Sequence, residues 1–417
     1  MAHPPHLASG KSSLQDLPRN VWAVSLTSFF MDISSEMMIN ILPLFLANVL
    51  GVKMGVIGLI EGVAEATASL LKLFSGWLSD RLGQRKWLAV AGYGLSAIVK
   101  PFFYIAQSWT SVATIRWADR VGKGIRTAPR DALVADSVRP EQRGIAFGFQ
   151  RAADTAGAMF GLLIALVVVW LAQSNSLELG ETTFRTIVLV SLLPAGLAVL
   201  TLAIGAQDVS VTSQRAAPKF ALKSLGRPFS AFMLIVGLFE LGNSSDAFLI
   251  LRAQERGLSI TGILAMLVVF NLVYTLISTP AGSLSDRSGR RKVIAGGWLI
   301  YAAVYFGFGL AQTAWQVGAL YVVYGLYYGL AYGTSKALIA DLVPEAMRGA
   351  AYGSYHATIG ILDFPASLIA GLLWQGAGRW AGLGPAAPFI FGAMLALGAA
   401  ALMAFWFPHF EQQRKGG

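Results

Sequence analysis

Cysteine is absent from this 417-residue chain, which removes disulfides, iron–sulfur ligation and thiolate–metal sites. Charge is scarce. Asp, Glu, Lys and Arg make up 13% of residues, about half the ~25% of an ordinary soluble domain. Histidine occurs four times without an H-E-x-x-H spacing, so neither a metal site nor a cofactor is expected. A phosphate-cradling G-x-x-x-x-G-K-[S/T] loop is missing too. Gly122-Lys123-Gly124-Ile125-Arg126 is too short for one and lies inside a long helical segment, which argues against direct drive by ATP. No nucleophile elbow is present, and an enzyme is not expected.

What fills the chain is apolar. Hydrophobic residues reach 55% and the mean hydropathy is +0.60, the profile of a polytopic all-α membrane protein. The 45 glycines suit helices packed closely in lipid. The net charge of +10 is carried largely by short loops between apolar segments. That is the positive-inside distribution rather than a nucleic-acid-binding face. The opening segment is polar and lacks the apolar core and cleavage site of a signal peptide, so the first span is expected to serve as the targeting signal.

At about 20 apolar residues per crossing, twelve spans are expected. They lie near 22–50, 55–79, 87–107, 109–137, 143–171, 185–206, 229–253, 259–283, 293–312, 315–342, 347–376 and 386–407. Residues 207–228 are polar and hold Arg215, Lys219, Lys223 and Arg227. They read as a linker between six-helix units at 22–206 and 229–407, with tails at 1–21 and 408–417. Loop Lys and Arg recur at 80–86, 139–143, 207–228, 286–292 and 408–417. Both termini are therefore expected in the cytoplasm, with the chain in the cytoplasmic (inner) membrane.

The two units repeat each other. Gly76-Trp77-Leu78-Ser79-Asp80-Arg81-Leu82-Gly83-Gln84-Arg85-Lys86 returns as Gly282-Ser283-Leu284-Ser285-Asp286-Arg287-Ser288-Gly289-Arg290-Arg291-Lys292. Ala132–Asp136 returns as Ala337–Asp341, at an offset of about 205 residues. Parallel six-helix halves of this kind are one of the known transporter plans. In the hairpins, Asp80 and Asp286 are placed to cap a neighbouring helix or to pair with the basic residues beside them. Such contacts form in one conformer and break in another, so Gly76, Asp80, Arg81, Gly83 and Arg85, with Gly282, Asp286, Arg287, Gly289 and Arg291, are candidate gating elements.

On these residues the chain resembles the bacterial-type major facilitator superfamily. The family's G-x-L-x-D-R-x-G-x-R-K signature is matched in both halves. Arg120-x-x-x-Gly124 resembles its fourth-helix arginine motif. The fifth-helix G-x-x-x-G-P-x-x-G-G of drug–proton antiporters is met only at Gly157 and Gly161, with Leu162 where proline belongs. The resemblance implies two pseudo-symmetric six-helix bundles, rocker-switch alternating access and a monomer; it implies no substrate.

Ionisable residues inside spans are costly and are functional candidates by default. In the fourth span Arg116, Asp119, Arg120, Lys123, Arg126, Arg130 and Asp131 fall within roughly 140° of the helix surface at ~100° per residue. Five bases against two acids leave an excess, for which Asp32, Glu36 and Asp154 are the expected partners; the acids of spans one, two and five together, Glu61 and Glu65 among them, nearly match the bases, which reads as a structural lock or a proton relay. A base left free would suit an anionic solute, and Arg126, just before Pro129, and then Arg120 are the candidates. Asp32, Glu36, Asn243 and Tyr328 complete the candidate substrate set. Asp32, Glu36 and Asp154, with Arg151 beside them, are the candidate proton carriers, because a desolvated carboxyl exchanges its proton readily. Tyr324, Tyr328 and Tyr332 recur at helical spacing as packing or as a cavity wall. A proton-coupled carrier of a small solute, with an organic anion as the candidate substrate, a multidrug–proton antiporter and a non-transporting sensor are the three function classes open at this point.

Overall fold

The computed structural model describes residues 16–139, 142–209, 225–344 and 347–408, apart from the side chains of Asp80, Gly144, Thr279 and residues 348–350. Most of both tails and of the 207–228 linker lies outside the described residues, as does the side chain of Asp80.

Twelve helical rods follow one another. They are α1 (Arg19–Val49), α2 (Met54–Leu82), α3 (Lys86–Ile105), α4 (Trp109–Ser137), α5 (Arg143–Gln173) and α6 (Glu181–Gly205), then α7 (Arg227–Glu255), α8 (Ile260–Ser288), α9 (Arg290–Leu310), α10 (Ala314–Leu342), α11 (Arg348–Gln375) and α12 (Ala387–Trp406). Ten are long and apolar enough to cross a membrane. The remaining two are α4, laden with charge, and α10, diluted by tyrosine and glycine. Both are as long as their neighbours and lie against them, so helix length and packing carry them across where hydropathy does not.

Each half is a bundle. In the first, α1 packs on α5 and α6, and α4 packs between α2 and α3. In the second, α10 packs on α8 and α9, while α12 joins α9 to α7. The halves meet chiefly along α2 and α11 and, less extensively, along α5 and α8. Small residues permit this. A Cβ on Gly58 would lie 2.2 Å from the Ser367 carbonyl oxygen, and one on Gly371 would lie 2.6 Å from that of Met54. Within the first bundle Gly157 and Gly161 press α5 onto α1 in the same way. Where lipid replaces water, such close van der Waals contact is the main source of helix association.

Two rods are broken. In α1 the helix turns at Asn40 and ends in a wide turn, Phe45–Val49. In α7 it unwinds after Gly242 and restarts at Ala247. Unwound backbone inside a membrane is tolerated only where protein or a cavity satisfies it. Both breaks face the same interior space.

The hairpins confirm the repeat and shift its register. Gly83 (φ +63°) and Gly289 (φ +91°) end α2 and α8 in the positive-φ region that favours glycine. Arg85 is buried, donates to Asp136 Oδ2 at 3.2 Å and to Ser79 Oγ at 2.9 Å, and its backbone N–H reaches Asp208 Oδ1 at 3.0 Å. In the second half Arg290, one residue before the aligned Arg291, makes contacts of the same kind, to Asp341 Oδ2 at 3.3 Å, to Ser285 Oγ at 2.7 Å and to Asp286. The reason is local: α9 starts directly after Gly289, whereas two residues separate Gly83 from α3. Asp208 caps α3, the service expected of the hairpin acids. Arg85→Ala is expected to cost about 1.5–3 kcal/mol, the range for hydrogen bonds to a charged group, read as a lower unfolding midpoint in detergent. A midpoint equal to that of the parent would show that the hairpin does not depend on this contact.

Candidate functional site

A cavity of about 340 Å³ lies between the halves. From the first half come Glu36 and Asn40 at the α1 break, Glu61 and Glu65 of α2, and Arg116, Arg120 and Lys123 of α4. The second half contributes the unwound Asn243–Asp246 of α7, Tyr328 of α10, and Asp363 and Ser367 of α11. At this volume it stands at the small end of ligand sites, which run from about 300 Å³.

Two arginines of the α4 stripe are paired by α2. Arg116 reaches Glu61 Oε2 at 2.6 Å and Glu65 at 3.6 Å; Arg120 reaches Glu65 at 3.1 Å and Asp119 at 3.2 Å. Asp32 and Glu36, expected as partners, make no ion pair within 4 Å among the described residues, whereas Asp154 approaches Arg130 at 3.9 Å. The register explains why α2 takes this role. Ser75 Oγ donates to the Gly124 carbonyl at 2.8 Å, and a Cβ on Gly124 would lie 2.5 Å from Leu71 Cβ. That contact aligns two acids four residues apart with two arginines four residues apart. The matching 61/65 and 116/120 spacings were the signal in the sequence.

Of the candidate substrate residues, Arg120, Glu36, Tyr328 and Asn243 line the cavity; Arg126 and Asp32 do not. Arg126 donates to Ser96 Oγ at 2.6 Å and lies 4.6 Å over the Tyr93 ring. Gly92, whose Cβ would stand 2.7 Å from Arg126 Cβ, lets α3 clamp it. Pro129 sits within α4 without interrupting it. Asp32 has Asp154, Glu36, Arg126 and Arg130 as charged neighbours. Asp154 accepts from Gln150 at 2.9 Å, and Arg151 reaches Tyr274 Oη across the halves at 3.4 Å. Among the aromatics, Tyr324 is buried and donates to Asp246 Oδ1 at 3.2 Å, while Tyr332 stacks under Lys336 at 4.5 Å. Only Tyr328 of the three faces the cavity.

The two breaks are alike. Asn40 Nδ2 donates to Glu36 Oε2 at 2.9 Å, and Asn243 Nδ2 donates to Glu240 Oε2 at 2.9 Å. In each half a glutamate is thus held by an asparagine where the helix gives way. Lys123 and Asp363 are different: among the described residues neither makes an ion pair within 4 Å or a side-chain hydrogen bond.

The cavity is latched at one end. Gln254 Nε2 donates to Asn48 Oδ1 at 2.7 Å and to the Leu177 carbonyl at 2.7 Å, Ile260 N donates to the Ser176 carbonyl, and Met54 N donates to Gln375 Oε1 at 2.7 Å. These residues sit at the opposite end of the bundle from the Gly83 and Gly289 hairpins.

Two six-helix bundles around a charged midplane cavity, entered by two broken helices, define a membrane transporter of the two-repeat kind. The Major Facilitator Superfamily model matches residues 24–252 and 229–416, and the chain belongs to that family. It is 33% identical to an uncharacterised MFS-type transporter of Methanocaldococcus jannaschii, over 96% of this chain and 98% of that one. The cis,cis-muconate transport protein of Acinetobacter baylyi is 23% identical over 77% of this chain and 81% of its own length. In fold it is similar to a D-xylose–proton symporter, with a TM-score of 0.74 at 15% identity, over 92% of this chain and 96% of that one.

Proposed function

We propose that the protein carries a small carboxylate-bearing organic solute by alternating access, coupled to protons, and that Lys123 anchors the carboxylate. One observation carries this. Lys123 lines the cavity with no acid within 4 Å among the described residues, and the carboxylate whose charge it feels, Glu65, is already shared by Arg116 and Arg120. An unpaired cation facing a desolvated cavity gains most from an incoming anion. The muconate carrier among the relatives, whose cargo is an organic anion, supports the same reading. Multidrug export fits less well, since the lining is mostly charged, amide and hydroxyl groups and the space is small.

On this reading the hairpin end is cytoplasmic by its loop charge, and the Asn48–Gln254 latch closes the outer end. Asp32, with two acids and two arginines around it, exchanges the coupling proton. Charged, it pairs with Arg126 or Arg130; protonated, it releases them.

Proteoliposomes test both parts. A pH gradient is expected to drive accumulation of a carboxylate solute, Lys123→Gln to weaken its binding at least tenfold, and Asp32→Asn to allow downhill flux without accumulation. Accumulation by Asp32→Asn that still follows the pH gradient would remove Asp32 from the coupling.

A further inference from the structure

We propose that the solute also carries a protonated amine, making it a small amino-carboxylate whose ammonium is held between Asp246 and Asp363. This rests on the carboxylate reading above and narrows it.

Charge is divided unevenly between the walls. On the first half, Glu36, Glu61 and Glu65 are matched in number by Arg116, Arg120 and Lys123. On the second half, Asp246 and Asp363 line the cavity and no Lys, Arg or His does. Asp246 has the hydroxyls of Tyr324, at 3.2 Å, and Tyr328 as partners and no base within ion-pair distance among the described residues. Asp363 has no hydrogen bond or ion pair among the described residues, and its charged neighbours are Glu240, Glu65 and Asp246 against a single base, Lys72. The first segment of α7 ends at Gly242, beside this wall, and Asp246 stands at the N-cap of the second. A helix C-terminus carries partial negative charge, and half-helix ends of this polarity coordinate cations in other transporter plans. The second half thus offers a cation site, and Lys123 on the first half offers an anion site.

The cavity of about 340 Å³ holds roughly ten waters at ~30 Å³ each, the scale of a single amino acid or a short linear analogue.

The test uses matched triplets of three to six carbons, for example 5-aminopentanoate, glutarate and 1,5-diaminopentane, read as ligand-induced stabilisation of the purified full chain. The amino-carboxylate of a triplet is expected to bind at least tenfold more tightly than its dicarboxylate and its diamine. Asp363→Asn is expected to lose that preference while dicarboxylate binding holds or improves. Asp246→Asn provides a second variant should Asp363→Asn fail to fold. A dicarboxylate that binds most tightly would overturn the amine inference and leave the carboxylate reading standing. A diamine that binds most tightly, or no binding across the panel, would overturn both. An amino-carboxylate preference that persists in both aspartate variants would also overturn the inference.

Discussion

Arg116→Met is expected to lower stability by about 3–5 kcal/mol, the cost of stripping one partner from a buried ion pair. The side chains of Arg116 and Glu61 are 3% and 6% exposed, so water cannot replace the lost guanidinium. Glu61 Oε1 already lacks a partner, and Arg120 would be left to serve Glu65 and Asp119 alone. The reverse substitution is milder. In Glu61→Gln, Arg116 keeps Glu65 at 3.6 Å and Asp119 at 3.9 Å, so a loss nearer the ~1.5–3 kcal/mol of a charged hydrogen bond is expected. The double variant Glu61→Gln/Arg116→Met should recover much of the single loss, because both charges are gone. Unfolding of purified protein in detergent reads all three. A single Arg116→Met variant as stable as the parent would show that the α2–α4 lattice is hydrated rather than buried.

Gly58→Ala is the second substitution of large effect, and it acts on populations rather than on folding. The added Cβ would stand 2.2 Å from the Ser367 carbonyl oxygen and 2.9 Å from its carbon. Both are backbone atoms, so no rotamer relieves the clash and α2 must move off α11. Overpacking of this kind costs about 1–3 kcal/mol. Gly58 lies on the contact between the halves, near the end latched by Asn48 and Gln254. The penalty therefore falls on the conformer seen here and favours one in which that end is open, by about tenfold for each 1.4 kcal/mol. The chain has no cysteine, which makes the readout direct. A reporter Ala47→Cys, half-buried beside the latch, is expected to react with an aqueous thiol reagent at least tenfold faster in the Gly58→Ala background, with transport slowed. Gly94→Ala, which meets nothing within 4 Å, serves as the control. Equal labelling in all three backgrounds would mean that the α2–α11 contact yields locally and does not report on the state of the carrier.

The repeat, the twelve rods and the hairpins were legible because each rests on local chemistry: apolar length, loop charge and a glycine where the backbone needs positive φ. The finer register was not. Aligning the two G-x-L-x-D-R copies places Arg291 opposite Arg85, yet Arg290 reaches Ser285 and Asp341, since the second turn is shorter by two residues. Half of the site was visible as intramembrane charge. That Glu61 and Glu65, rather than Asp32 and Glu36, would meet the α4 arginines depended on which helix lies beside α4. Arg126 was the first candidate for a free base; the absence of a side chain at Gly92 brings α3 onto it and removes it from the cavity, whereas Lys123, not singled out in the sequence, lines it.

Composition and periodicity alone thus settle that the chain must be a duplicated helical membrane protein with a charged interior, because lipid forbids unpaired backbone and tolerates charge only when it is turned inward. Which charges cancel and which stay open is decided only when the helices pack. Pairing requires two side chains from distant parts of the chain to come within about 4 Å, and that depends on glycines that let one helix approach another. Tertiary structure therefore separates Arg116 and Arg120, paired with α2, from Lys123 and Asp363, which line the cavity with no ion pair within 4 Å among the described residues.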